Sequence, residues 1–376
     1  MIIWRPGRVG SVTATWPGAV ELSVDLDEPL PGSAAGEPLG TVRALAYPAL
    51  VGSPEPGRRV LLNVSALARG LGTGGYALVV ALPNDAPADP PAGPGHLVKA
   101  RYTPLQAMVL GVDDQESPHH DTLRGADDLA GLPVVVADLH SALPAVVAGA
   151  RHAAAAAGRP VPRVAYVMTD GGALPAWFSR TVAGLRAAGW LEACITTGQA
   201  FGGDLEAVTV HTGLLAARHV VGADLVVVAQ GPGNLGTGTR WGFSGVAAGE
   251  AVNAAATLGG RPVASLRVSG ADPRPRHRGV SHHSLTAYGR VALAPADVVV
   301  PQLDDETLGP LVRSQAAALG APAGRHRLVG VPAGDDLLAA LADVPVRLST
   351  MGRGLDEDPA AFLAAAAAGV HAVGLG

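Results

Sequence analysis

The 376-residue chain has one cysteine, one lysine and few aromatic side chains, 4% in all. A lone thiol, Cys194, excludes an internal disulfide framework. No uninterrupted apolar run reaches the ~18 residues of a membrane helix, so no span is expected. The start, Met1-Ile2-Ile3-Trp4-Arg5-Pro6, lacks the apolar stretch of a signal peptide, which makes the cytoplasm the expected location. A net charge of -5, with no basic stripe, argues against a nucleic-acid partner. Linear catalytic motifs are missing as well. There is no H-E-x-x-H, no C-x-x-C, no Lys-Ser/Thr closing a phosphate loop and no G-x-S-x-G elbow.

What is present suits a large core. Hydrophobic residues make up 48% of the chain, and the abundant alanine, valine and leucine suit helices packed on a buried parallel sheet. The length points to two domains. Lys99 is the only lysine beside 26 arginines. Either it survives by chance on the surface, or it stands where a compact ammonium is needed and a guanidinium will not serve.

The first part reads as all-β. Short alternating runs recur from Arg8–Ala14 to His96–Arg101, separated by Gly, Pro, Asp and Asn. A small β-barrel over residues 1–112 is expected. From residue 130 to 376 the rhythm becomes strand, helix, strand. Strand candidates run from Pro133–Ala137 to Val344–Ser349, and helix candidates, Leu205–Val221 among them, from Ser141–Ala157 to Asp358–Ala368. This predicts a three-layer α/β domain, doubly wound and mostly parallel. Ligands of such sheets bind beyond the carboxyl ends of the strands.

Four loops at those ends carry chemistry. Asp170 stands at a strand tip before Gly171-Gly172, either as a base or metal ligand or as a turn-forming residue. Asp204 and Glu206 follow Gly202-Gly203, either as a carboxylate pair or as the cap and first turn of the helix from Leu205. The third loop has six glycines within fifteen residues, from Gly231 and Gly233 through Gly236 and Gly238 to Gly242 and Gly245. Exposed backbone N–H groups there, with Thr237 and Thr239, suit an anion. The loop continues past its third glycine, and Arg267 ends the next strand where a nicotinamide site wants an acid, so a dinucleotide fold is not favoured. The fourth loop concentrates Arg274, Arg276, His277, Arg278, His282 and His283. Adjacent helical residues point ~100° apart, so only one of His282 and His283 is expected to face a ligand. Lys99 and Arg101 would share one strand face and close over the anion site. A divalent metal held by side chains from separate loops stays open, with no linear signal for it.

The same segments resemble the bacterial family named domain of unknown function 3866. The resemblance lies in Gly95-His96-x-x-Lys99-x-Arg101-Tyr102-Thr103-Pro104-Leu105-Gln106, Tyr166 to Pro175 and Ala200 to Ala207. It continues through Gly231-Pro-Gly233, Gly236-Thr-Gly-Thr239 and Arg276 to Thr286. It spans nearly the whole chain, implies a similar two-part protein in similar bacteria, and brings no activity with it. Asn234 and Leu235 depart from a more apolar pattern.

The expectation from the residues is an enzyme acting on a small anionic, phosphorylated or nucleotide-like substrate. His282 or His283 would be the acid–base, aided by Asp170 or Asp204, and the loop glycines and arginines would hold the anion. The alternative is a non-catalytic sensor using the same site. Association with further copies of the chain is left open.

Overall fold

The computed structural model describes residues 2–31 and 38–376. The chain forms two compact units, Met1–Pro94 with Ala100–Ala107, and Gly95–Lys99 with Met108–Gly376.

The first unit is a closed barrel. Its strands are β1 (Trp4–Trp16), β2 (Ala19–Leu30), β3 (Leu39–Ala46), β4 (Arg59–Asn63) and β5 (Ala77–Ala81), in the order β1-β2-β3-β5-β4. Antiparallel pairing of β4 with β1, from Trp4 opposite Asn63 to Arg8 opposite Arg59, closes the ring and removes the free edges. Alternate residues point inward, so Val9, Leu22, Val24, Val60, Leu62 and Val79 fill the interior. A short helix, α1 (Pro48–Val51), follows β3.

The second unit holds β6 (Leu97–Lys99), β7 (Ala107–Val109) from Met108 onward, β8 (Pro133–Val136), β9 (Val164–Thr169), β10 (Ala193–Thr196), β11 (Leu205–Glu206), β12 (Leu225–Gln230) and β13 (Arg261–Ser265). They are followed by β14 (Val268–Ser269), β15 (Gly279–Val280), β16 (Asp297–Gln302) and β17 (Arg327–Pro332). Its helices are α2 (His120–Leu123), α3 (Leu143–Ala156), α4 (Arg180–Ala187), α5 (Val210–Ala216), α6 (Ala247–Thr257), α7 (His282–Thr286), α8 (Leu308–Ala316), α9 (Asp335–Ala342) and α10 (Pro359–Val373).

Eight strands make one sheet, ordered β11-β10-β9-β12-β8-β13-β16-β17, and every pairing is parallel. The central strands are buried throughout because both faces are covered. Val134, Val136, Val226 and Val228 face one core with Leu214, Val252 and Val312. Val135 and Val227, one residue out of phase, face the other with Val146, Leu185, Leu337 and Phe362. Among the described residues no helix is long and apolar enough to cross a membrane.

Three predicted elements differ. The run Leu205–Val221 is not one helix. Leu205–Glu206 adds a short parallel edge strand to β10, and α5 starts at Val210 after Thr209, whose hydroxyl accepts from Thr212 N. Val344–Ser349 forms no strand, since Pro345 interrupts the run and only a lone bridge, Thr350 with Arg353, follows. The strand His96–Arg101 shortens to Leu97–Lys99 because Ala100 and Tyr102 take positive φ, 47° and 63°.

Candidate functional site

Strand order places a crevice at the carboxyl ends of β8, β12 and β13. The chain begins at β8, moves out to β9, β10 and β11, returns to β12 and then crosses to β13. The connection after β8 runs to one side of the sheet, to β9, and that after β13 to the other, to β16, which opens a gap between them. Asp138, Gln230 and Arg267 sit just past or at the three strand ends. A cavity of about 30 Å³ is lined there by Asp138, Arg267, Ser269, Met351, Arg353 and Asp358.

Buried polar groups are normally satisfied, and here several are not. Oδ2 of Asp138, Oε1 of Gln230 and Nε2 of His282 are buried without a hydrogen-bond partner. They are three of the five such side-chain atoms among the described residues; Asp138 Oδ2 lies 3.8 Å from His283, and Gln230 Oε1 faces Gly171. Asp138 is 3% exposed. Burial raises its pKa, and the Arg267 guanidinium, 4.0 Å away, works the other way.

A local hairpin assembles the histidines. β14 pairs antiparallel with β15, Val268 opposite Val280 and Ser269 opposite Gly279, and this closes the loop between them. His277 ends that loop and lies beside α7. Ser281 caps α7, its Oγ accepting from His283 N, and the same Oγ lies 2.8 Å from His277 Nδ1. Ring centroids are 5.0 Å apart for His277 with either neighbour and 4.4 Å for His282 with His283. Both adjacent histidines join one cluster with His277, where the sequence led to the expectation that only one of them faces a ligand. The three rings form a triangle, each packed against the other two.

All three imidazoles are held neutral. Burial is the main cause, lowering His277 to about 4 and His283 to about 3, and Arg267 pushes both further down. His282 is lowered too, by burial and then by Arg276. Arg267 Nη1 donates to Nδ1 of His283 at 3.1 Å, and Asp138 Oδ2 lies 3.8 Å from that nitrogen. Phe243, from the end of the glycine-rich loop, stacks on His283 with centroids 3.8 Å apart and planes 1° from parallel.

The other predicted residues scatter. Asp170 accepts from Gln199 N at 2.8 Å, holding the neighbouring loop. Asp204 accepts from Cys194 N at 2.8 Å and pairs with Arg186. It caps no helix, because none starts at Leu205. In the glycine-rich loop Gly231 is buried, Gly236 bridges to Phe243, and Gly233 and Gly238 take positive φ. The Thr237 and Thr239 hydroxyls bond each other and the loop's own backbone at Gly242, which pins the turn. The turn reaches Arg276: a methyl on Gly238 would lie 3.9 Å from its Nη2. Arg274 is committed to Asp272, at 2.7 Å, and the Arg278 carbonyl accepts from Gln315. Lys99 is 2% exposed, inside the second unit, while Arg101 lies exposed beyond the end of β6. The shared Lys/Arg face does not exist, because positive φ at Ala100 ends the strand.

Sequence reasoning missed Asp138, Gln230 and Phe243 as site residues. Asp138 carries the same strand-tip signal as Asp170 and was findable. Asp358 gives no local signal. It accepts from Ser269 Oγ and Gly270 N, 88 or more positions away, and pairs with Arg353 at 3.1 Å.

His140, at the mouth of α3, bonds the Tyr166 hydroxyl at 2.9 Å and Ser179 Oγ at 2.8 Å. Burial lowers its pKa to about 4. Below pH ~6.5 the unfolded chain takes up a proton that the folded one refuses, so stability falls as pH drops from ~6.5 to ~4. The expected loss is about 2 kcal/mol, read by urea denaturation across that range. His277 and His283 add to the same slope, so His140→Gln should remove only its own share of it, and an unchanged slope in that variant would refute the assignment.

No curated protein and no solved structure matches the chain. A family profile described as "Protein of unknown function (DUF3866)" matches residues 43–369, which takes in nearly all of the second unit and much of the first. The chain belongs to that family.

Proposed function

We propose that the second unit is a cytoplasmic enzyme that binds a small anionic, phosphorylated or nucleotide-like substrate at the carboxyl ends of β8, β12 and β13. The observation that carries this reading is the pair of unpartnered buried atoms, Asp138 Oδ2 beside His283 and Arg267 and Nε2 of His282 within the cluster of three neutral histidines. Binding sites, unlike cores, leave polar atoms waiting for a partner. Arg276 is exposed and makes no ion pair among the described residues, so its guanidinium is available for an anionic group. Asp138, beside His283, takes the part first given to Asp170 and Asp204. The reaction would be a transfer or a hydrolysis centred on the histidine cluster.

The test is a thermal-shift screen against nucleotides, sugar phosphates and acyl phosphates. A ligand at 100 times its Kd adds about 2.7 kcal/mol to the native state. The shift should shrink sharply in Arg276→Ala and in Arg267→Gln. No shift with any phosphate, or shifts that both variants retain, would sink the proposal.

A further inference from the structure

The histidine cluster has the geometry of a metal site. His277, His282 and His283 each bring one ring nitrogen within 4.8 Å of the other two. Ligand nitrogens around one tetrahedral ion with bonds of ~2.0–2.1 Å stand ~3.4 Å apart, so small side-chain rotations would complete the set. The surrounding bonds decide which nitrogen each ring has free. Nδ1 of His277 is taken by the Ser281 hydroxyl, which leaves Nε2. Nε2 of His282 is buried with no partner. Nδ1 of His283 faces Arg267 and Asp138, which again leaves Nε2.

Asp138 supplies an independent observation. A metal-bound histidine commonly donates its other N–H to a carboxylate, which fixes the ring and its tautomer. Oδ2 of Asp138 is buried, unpartnered and 3.8 Å from His283 Nδ1. When Nδ1 accepts from Arg267, the ring proton sits on Nε2. A cation at Nε2 would require the ring proton on Nδ1 instead, where Asp138 Oδ2 is the nearby acceptor and Arg267 would have to give way.

We propose that His277, His282 and His283 bind one divalent transition-metal ion, with a fourth position left for water or substrate, and that Asp138 is the positioning carboxylate of His283. Three imidazoles select zinc, cobalt or iron(II) over magnesium and calcium, which prefer oxygen ligands. Local charge allows it. Arg267 is offset by Asp138 at 4.0 Å and Arg274 by Asp272 at 2.7 Å. Arg276 remains, and its charge favours an anionic fourth ligand. The inference does not depend on the identity of the substrate, nor on whether an anion binds at all.

The test uses the full chain, stripped with a chelator and titrated with cobalt(II), whose visible ligand-field band reports coordination, with zinc as competitor. One ion per chain should bind, and magnesium should not displace it. His282→Gln should weaken binding more than about 100-fold, and Asp138→Asn about 10- to 100-fold at the same stoichiometry. The His282 ring packs against Phe243, His277 and His283, so the melting temperature of metal-free His282→Gln is measured first, to show that the variant titrated is folded. A surface group, His96 with Asp114 and Glu116, could also take up ions. His96→Ala should therefore leave the titration unchanged. Folded protein that binds neither cobalt nor zinc at micromolar concentration would overturn the proposal. So would undiminished binding in His282→Gln.

Discussion

Lys99→Met is expected to destabilise the second unit by about 3–5 kcal/mol, the cost of breaking a buried ion pair from one side. Nζ of Lys99 donates to the carbonyls of Ala200 at 3.0 Å and Ala207 at 2.8 Å, and lies 3.7 Å from Glu206 Oε2. Glu206 also accepts from Thr196 Oγ1 and Gly202 N, both at 2.6 Å. Burial works against both charges, lowering Lys99 and raising Glu206, and each is the other's compensation. Methionine matches the stem and removes all three donors. The Glu206 carboxylate is then left buried without its counter-ion, and the two carbonyls without their donor. Lys99→Met with Glu206→Gln should recover part of the loss, because the stranded charge is gone. Lys99→Arg should fail, since a planar guanidinium cannot direct its donors to three converging oxygens as a rotatable ammonium does. Urea denaturation of the three variants gives the answer, and a loss under about 1 kcal/mol for Lys99→Met would disprove the role.

The second large effect is expected where α3 crosses α10. A β-carbon on Gly149 would lie 2.0 Å from the Ala366 carbonyl oxygen, and one on Gly369 would lie 2.0 Å from that of Val146. The obstacles are backbone, so no rotamer change relieves them. Gly149→Val must force the helices apart, and between them they bury Val146, Val147, Phe362 and Ala365. A loss of about 3 kcal/mol or more follows, at or above the usual overpacking range. Gly158→Ala is the control. Its φ is +63° but the space around it is open, so it should cost only about 1 kcal/mol. A loss at Gly149 no larger than at Gly158 would show that the two helices accommodate the added atoms and would overturn the close-approach argument.

Much of the architecture was legible from residue order. Alternating runs such as Val20-Glu21-Leu22-Ser23-Val24 place side chains on opposite faces, and a half-buried barrel strand needs nothing more. The run Leu225-Val-Val-Val-Ala229 is apolar on both faces, which only a covered parallel strand tolerates. Glu206 and Val344–Ser349 were misread for a shared reason: local pattern says nothing about whether a strand partner is at hand. Beside β10 there is one for Leu205–Glu206, and among the described residues Val344–Ser349 finds none.

For the candidate site, the sequence alone determined the histidine-rich and glycine-rich loops and the sheet end at which they sit. Only the tertiary structure decided which residues meet. It put Asp138 with His283, Phe243 on the imidazole face, and Asp358 against Ser269. It also withdrew Lys99, Asp170 and Asp204 to bind backbone. Strand and helix formation depends on neighbours a few positions away, which the chain writes in order. Partners 16, 40, 89 or 145 positions apart are chosen by strand order and burial, and those exist only once the sheet has closed.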